Sequence, residues 1–408
     1  MREQVILKIL LKSYHTHFGL AYPFVVSFNE KNQARFTLGR KLIFESVLFI
    51  ASLVINGVLC AGVSVAYYTG SAKLERWVAL VQVSGGIFMM FLCFNDYIFF
   101  RHGRSIPFVH NNLNQVVATI RGQAKLLKLR VKWREARLFT LGLLGSLYLA
   151  IYFSWTATIA ITIILGLDPL HILLNLTSGT YAKFPLFYVS LNRMLIIGGR
   201  MVLVHMSVLD IARSWPTIGI LLEVGLENMV NALNILAQIT RTKHGGTSYS
   251  IRNYVLMMKR YVGIILHHTR VLVDPLIACL TLTSLILWTA TNFVAIKGWS
   301  HIDPFVWLVS LATSFSMFII SDVLLGCAIS FSNNSNAILN SMKRGVVDIV
   351  DRNGRKWLLR RIKSQRPLAF GVGLNDYLFY YCRTSTQITY YCTIADLTIS
   401  AALSFSME

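Results

Sequence analysis

The sequence predicts an all-α polytopic membrane protein with seven transmembrane helices, a cytoplasmic amino terminus and an extracellular carboxyl terminus. Three observations lead there. Hydrophobic residues make up 55% of the 408 positions and charged residues only 14%, with a mean hydropathy of +0.56, whereas a soluble domain carries about a quarter charged residues. Seven apolar runs reach the roughly 20 residues that cross a bilayer as helix. Lys and Arg gather in alternate connections, as they do on the cytoplasmic side of membrane proteins.

Residues 1–41 form a basic cytoplasmic segment carrying Arg2, Lys8, Lys12, Lys31, Arg35, Arg40 and Lys41. They lack a short apolar core followed by a small-residue cleavage site, so no removable signal peptide is expected. Residues 42–211 hold spans one to four, at 42–68, 76–100, 138–166 and 184–211, with a basic inner loop at 101–137. Residues 212–274 form a cytoplasmic helical anchor, 275–331 hold spans five and six at 275–296 and 304–331, and 332–385 form a second anchor segment. Residues 386–408 carry the seventh span. The outer connections are nearly bare of cations, with Lys73, Lys183 and Lys297 isolated. The sequon Asn175-Leu176-Thr177 falls in an outer connection, which makes Asn175 a glycosylation site in this orientation. A second sequon at Asn333 falls at an inner boundary and is read as fortuitous.

The inner segments are more than polar linkers. Ile218, Leu222, Leu226, Met229, Leu233 and Leu236 recur at helical spacing, and 253–273 mixes apolar residues with Lys259, Arg260 and Arg270. Spans four and five are therefore expected to continue as helices beyond the membrane and to pack there; basic segments lying on the membrane surface are the alternative.

The net charge of +21 sits between apolar blocks, which excludes a nucleic-acid surface and assigns it to membrane orientation. Six cysteines lack metal-ligand spacing, and His267-His268 lacks a supporting carboxylate or thiol, so no metal and no cofactor is expected. No nucleophile elbow, zinc-binding His-Glu-x-x-His or phosphate loop occurs, and the chain is read as a non-enzyme.

The seventh span carries the sharpest signal. At 100° per residue Thr386, Thr389, Thr393, Asp396, Ser400 and Ser404 share an arc of roughly 80° on an otherwise apolar helix. A carboxylate at mid-span is costly in hydrocarbon and needs water or a partner. Either the stripe lines a pore shared between symmetry-related copies, or Asp396 pairs with Arg193 or Arg200 on span four. Span four also carries His205 and Asp210; Arg200 and His205 are expected to pair internally, with Asp322 or Asp96 as candidates. Trp155, Tyr188, Arg193, Trp288, Asn292 and Trp307 lie in predicted outer halves, where they serve either a ligand pocket or interface belts and packing.

Three local patterns carry a resemblance. Thr389-Tyr390, the five residues from Tyr391 to Ala395, and then Asp396-Leu397 keep the spacing of a closing motif written Thr-Tyr, five apolar residues, Gln-Phe, although the ending differs. Gly371, in Arg366-Pro367-Leu368-Ala369-Phe370-Gly371, matches a Gly expected at the start of an inner helix leading to the last span. Gly19-Leu20-Ala21-Tyr22-Pro23-Phe24 matches a Gly-Leu-x-Pro-Phe pattern with one extra residue. In these motifs, and in topology and loop lengths throughout, the chain resembles the insect gustatory receptors, part of a superfamily of seven-span ligand-gated cation channels shared with the odorant receptors. The resemblance implies a plasma-membrane homo- or heterotetramer embedded in lipid, anchored between subunits by its inner helices. It also implies a small organic tastant as ligand, bound among Trp155, Tyr188, Arg193, Trp288, Asn292 and Trp307. Thr389, Thr393, Asp396, Leu397 and Ser400 would line the central pore. The alternative is a non-conducting receptor, scaffold or carrier of the same fold. The orientation opposes that of G-protein-coupled receptors.

Overall fold

The computed structural model describes residues 26–28, 34–36, 40–70, 76–129, 162–163, 168–178, 191–241, 249–300, 302, 304–346, 352–374 and 377–404. The third predicted span falls almost wholly outside the described residues, as do Trp155 and Tyr188. Nine helices are described: α1 (Arg40–Tyr68), α2 (Arg76–His102), α3 (Ser105–Leu126), α4 (Pro169–Ser178), α5 (Leu191–Arg241), α6 (Tyr249–Lys297), α7 (Pro304–Gly345), α8 (Arg352–Lys363) and α9 (Thr384–Ser404). Two antiparallel hairpins join them, β1 (Val26–Phe28) with β2 (Ala34–Phe36) and β3 (Gly371–Leu374) with β4 (Tyr377–Tyr381). The molecule is mostly helical, as expected, with these two short hairpins beside the helices. The inner loop expected at 101–137 contains the helix α3.

Among the described residues, four helices are long and apolar enough to cross a membrane, with the relevant stretches at Ile50–Tyr68, Val78–His102, Tyr249–Lys297 and Val306–Gly345. At 1.5 Å per residue, α5, α6 and α7, with 51, 49 and 42 residues, run about 76, 74 and 63 Å. Each is at least twice the ~30 Å depth of a hydrocarbon core. The apolar periodicity past span four is thus carried on one unbroken helix, and α6 begins well before Pro275. Proline is accommodated inside α6.

The extensions of these helices pack together with α3 and α8 into the main core. Leu113, Ile120, Leu233, Leu236, Ile239, Leu256, Val262, Phe331, Ile338 and Leu358 are all buried in it. Leu226, Met229, Leu233 and Leu236 therefore face their own chain. These four side chains are buried within the subunit. Lys259 is 1% exposed there; burial lowers its pKa to about 8, and its ammonium donates to the Arg366 carbonyl at 2.9 Å. Ser335, the third residue of the second sequon, is 0% exposed and accepts a bond from the Leu368 amide.

Polar side chains join helices where apolar surfaces alone give no preference, as in membrane bundles generally. Asn56 of α1 donates to Ser207 Oγ at 2.6 Å and to the Leu203 carbonyl at 3.2 Å, and Ser52 bonds Ser207 at 3.1 Å. Arg200 of α5 pairs with Asp168 at 2.5 Å, with the two side chains 4% and 1% exposed. Asp168 also accepts the His171 amide at 2.9 Å, so one carboxylate caps α4 and neutralises the buried guanidinium. Burial, then the neighbouring Arg200, holds His171 below its usual pKa against the opposing pull of Asp168. The partner of Arg200 is therefore neither Asp322 nor Asp96, as expected above, but an acid from the connection ahead of Pro169.

The segment 332–385, expected as helical anchor, is helical through α7 and α8 and then turns into the β3–β4 hairpin. Gly371 opens β3, where a helix start was expected. A Cβ at Gly371 would lie 2.5 Å from Leu378 Cδ1 and 2.8 Å from Asp274 Oδ2, so this strand fits against α6 only without a side chain. Cys382 continues the hairpin by donating its amide to the Phe370 carbonyl at 3.0 Å. Burial, aided by Asp274, pushes its thiol up to about 12.

Two outcomes follow from this packing. Gly371→Ala forces the hairpin off α6 and lowers stability by about 1–3 kcal/mol, the usual cost of overpacking, measured as a fall in the unfolding temperature of the purified protein. Asp168→Asn leaves Arg200 buried without its counter-charge and costs about 3–5 kcal/mol. Pairing it with Arg200→Gln should recover part of that loss; strictly additive losses would mean that the two charges do not act on each other.

Candidate functional site

Helix α9 has 21 residues and follows the β3–β4 hairpin after a two-residue step. Its first turn is tied back to the hairpin. Thr386 Oγ1 donates to the Tyr381 carbonyl at 3.1 Å and accepts from the Arg383 amide at 3.3 Å. Tyr390, Ile394 and Thr398 recur every four residues and are buried, which fixes one face of α9 against the rest of the chain, chiefly α6. Thr389, Asp396, Leu397 and Ser400 are exposed, while Thr386 and Thr393 are half-buried. The polar stripe is thus rotated away from the subunit's own packing. Its outward-facing members lie on a surface that no other described element covers. No described cation pairs with Asp396, and Arg200, one of its two candidate partners, is taken by Asp168.

An aromatic cluster grips the buried side of α9. Trp288 of α6 lies 6.4 Å from Tyr390 and 5.9 Å from Tyr391 between ring centroids, with Phe318 of α7 5.8 Å from Trp288. Tyr390 and Ser284 hydroxyls bond at 2.5 Å. On the neighbouring edge Asp322 of α7 accepts from Gln387 Nε2 at 3.1 Å and from the Tyr391 hydroxyl at 3.3 Å. Both clamps join α9 to the long helices through its first two turns.

The predicted ligand residues divide. Trp288 and Asn292 are brought together through Ser314, which accepts from Trp288 Nε1 at 3.1 Å and donates to Asn292 Oδ1. Trp307 stands apart, donating to the Ala295 carbonyl at 2.9 Å and meeting Trp299 edge-on at 5.1 Å. Arg193 and Asn175 lie on α5 and α4, with side chains outside the described set. A largely apolar cleft runs between α6, α7 and α9, lined by Ile277, Ser284, Leu287, Ser321, Leu325 and Tyr390 among others. It adjoins Trp288 along α6 on the side nearer the main core, and Asn292 and Trp307 are not among its lining residues. Its polar side chains are hydroxyls and the Cys382 thiol, with no Asp, Glu, Lys or Arg among the lining residues, a lining suited to neutral lipophilic molecules. Sequence reasoning missed Ser284, Asp322, Gln387 and Tyr390 as one connected group. The only signal was the alternation of Gln387, Tyr390 and Tyr391 on the face opposite the stripe.

No protein-family model and no curated protein matches the chain. Solved structures do. The insect olfactory receptor OR5 from Machilis hrabei aligns at 13% identity over 98% of this chain and 96% of the receptor, with a TM-score of 0.58. The same receptor in complex with eugenol aligns at 12% identity over 99% and 97%, with a TM-score of 0.63. Over nearly its whole length the chain shares the fold of this insect olfactory receptor.

Proposed function

We propose that the chain is a chemosensory receptor of the gustatory type. It acts as a ligand-gated, non-selective cation channel of the plasma membrane, opened by a small organic tastant. Seven spans set its amino terminus inside and its carboxyl terminus outside, and Asn175 is glycosylated. Four copies, identical or related, surround one axis, and lipid covers their outer apolar faces. The observation that carries the reading is the exposed polar stripe of α9. Tyr390, Ile394 and Thr398 turn it away from the subunit, and a stripe of this kind encloses water only when copies share it. Thr389, Thr393, Asp396, Leu397 and Ser400 line the conduction path, with Asp396 setting a field that favours cations. An olfactory receptor of the same fold in complex with eugenol supports a small neutral organic ligand here.

In this reading the ligand sits among Trp155, Tyr188, Arg193, Trp288, Asn292 and Trp307. Trp288 then transmits its arrival. It is bonded to Ser314 and packed at an angle against Tyr390 and edge-on against Tyr391, so a shift at Asn292 or Trp288 moves the buried side of α9 and with it the stripe. Gating is a population shift, and the ligand must bind the open arrangement better than the closed one.

The purified chain in a planar bilayer without G proteins should pass agonist-evoked current. Ligand binding without current would favour the non-conducting receptor instead. Asp396→Asn keeps volume and hydrogen bonding while removing charge, so channels should reach the surface with reduced cation preference or conductance. Asp396→Lys should oppose cation flow strongly, since a unit charge at about 4 Å is worth roughly 1–4 kcal/mol between water and a protein surface. Cysteines placed at Thr393 and Ser400 should react with water-borne thiol reagents while those at Ile394 should not. Accessibility that follows no stripe, with selectivity unchanged in Asp396→Asn, would end the pore assignment.

A further inference from the structure

Helix α2 offers its surroundings one narrow strip. From Val78 to His102 its exposed residues are Met90, Tyr97 and Arg101, and every other side chain there is buried or half-buried. At 100° per residue the three fall within about 40° of arc. Met90 and Tyr97 are 71% and 50% exposed, and both lie in a stretch long and apolar enough to cross a membrane. Arg101 stands about 16 Å of helix beyond Met90, which is half of the ~30 Å hydrocarbon core. The strip is therefore about one leaflet deep and ends in a cation.

More cations gather at that end. The Arg101 guanidinium donates to the Tyr97 hydroxyl at 2.5 Å and lies 5.9 Å from the centre of the Tyr97 ring, so it is held over the end of the strip. The chain then turns from α2 into α3. A Cβ at Gly103 would lie 2.2 Å from the Phe99 carbonyl oxygen and 2.6 Å from Phe36 Cε2, so Phe36 seats β2 on the elbow where only glycine fits. The elbow carries an exposed Arg104, and β2 carries an exposed Arg35 next to Phe36. Four residues past Arg104, Phe108 of α3 is 66% exposed. Among the described residues no carboxylate pairs with Arg35, Arg101 or Arg104. An interfacial aromatic belt accounts for Tyr97 alone. Unpaired guanidinia from two separate segments, at the foot of an apolar strip one leaflet deep, match the charge and length of a phospholipid with an acidic headgroup.

We propose that the elbow between α2 and α3 binds an anionic phospholipid, with its phosphate on Arg101 and Arg104, the remaining headgroup charge toward Arg35, and an acyl chain along Tyr97 and Met90. Guanidinium forks take phosphate oxygens in pairs, which a lysine in their place could not do. The orientation proposed above puts this elbow in the cytoplasmic leaflet, where anionic lipids lie. The site itself depends neither on that orientation nor on conduction by α9.

The test uses the full chain in nanodiscs of phosphatidylcholine, doped either with phosphatidylserine bearing a diazirine in one acyl chain or with the matching phosphatidylcholine probe. After irradiation the labelled peptides are mapped by mass spectrometry, with the exposed face of α1 around Val58 and Val65 as internal reference. A basic side chain at an anionic surface is worth about a fivefold change in partition. The serine probe should therefore label the segment from Met90 to Tyr97 about tenfold more than the choline probe, while α1 takes up both alike. Arg101→Gln with Arg104→Gln should bring the serine probe down to the choline level at this segment and leave α1 unchanged. Equal labelling by the two probes, or undiminished serine labelling in the double variant, overturns the proposal. Loss of labelling on adding millimolar inorganic phosphate also overturns it, in favour of a site for the free anion. Because the two probes are compared on the unaltered chain, they decide the question even where the double variant fails to fold.

Discussion

Everything in this molecule hangs on three helices that do not stop where a bilayer would. A span alone has little reason to choose one neighbour over another, since lipid tails are as apolar as leucine. Helices α5, α6 and α7 overcome this by running on into a common core, where Leu233, Leu256, Phe331 and Ile338 are withdrawn from solvent and the hydrophobic effect acts at full strength. The positions of their membrane halves follow from that clamp. Within those halves the faces stay largely uncovered, most of all on α7, where only 11% of the apolar stretch is buried. Specificity there falls to a few polar contacts such as Asn56 with Ser207 and Arg200 with Asp168.

Helix α9 is the exception to this plan. It has no extension of its own in the core and reaches it only through the β3–β4 hairpin, which Gly371 lets lie against Asp274 of α6. Higher up it is held by rings and hydroxyls: Trp288, Ser284 and Asp322 contact Tyr390, Tyr391 and Gln387. Such contacts are directional and few, so they can exchange between alternatives more readily than a close-packed core can deform. The element with the polar stripe is thus joined to the frame by few and directional contacts. That combination suits a moving part set on a fixed frame.

Much of this was legible in the sequence, and the misses have physical causes. Apolar runs located α1, α2 and apolar stretches of α5, α6 and α7, and apolar periodicity carried α5 and α6 on beyond those stretches. The same periodicity could not say which chain the leucine stripe packs against, and Leu226 and Leu233 proved internal. The hairpin was invisible because Gly371-Val372-Gly373-Leu374 and Tyr377–Tyr381 are too short for an alternating pattern to stand out beside helical neighbours. Asp168 was missed because its value lies in a contact 32 positions away with Arg200, together with a cap on α4 that its place before Pro169 announces only in retrospect.

The pairing of Arg200 bears on Asp396 itself. A carboxylate in the middle of an apolar helix needs either a cation or water. Sequence offered two cations on span four. One of them is closed, since the Arg200 guanidinium makes three contacts with the Asp168 carboxylate and a further one with the Ile163 carbonyl, leaving it little capacity for another anion. Asp396 meanwhile lies on the exposed side of α9, two residues from Ile394 and Thr398 that face inward. Turning it inward toward the described elements of its own chain would rotate Tyr390 out of its contacts with Ser284 and Trp288. Among the described residues, therefore, the carboxylate and the aromatic grip are not satisfied together. The grip is the one that is made, and the charge is left to whatever lies on the far side of α9.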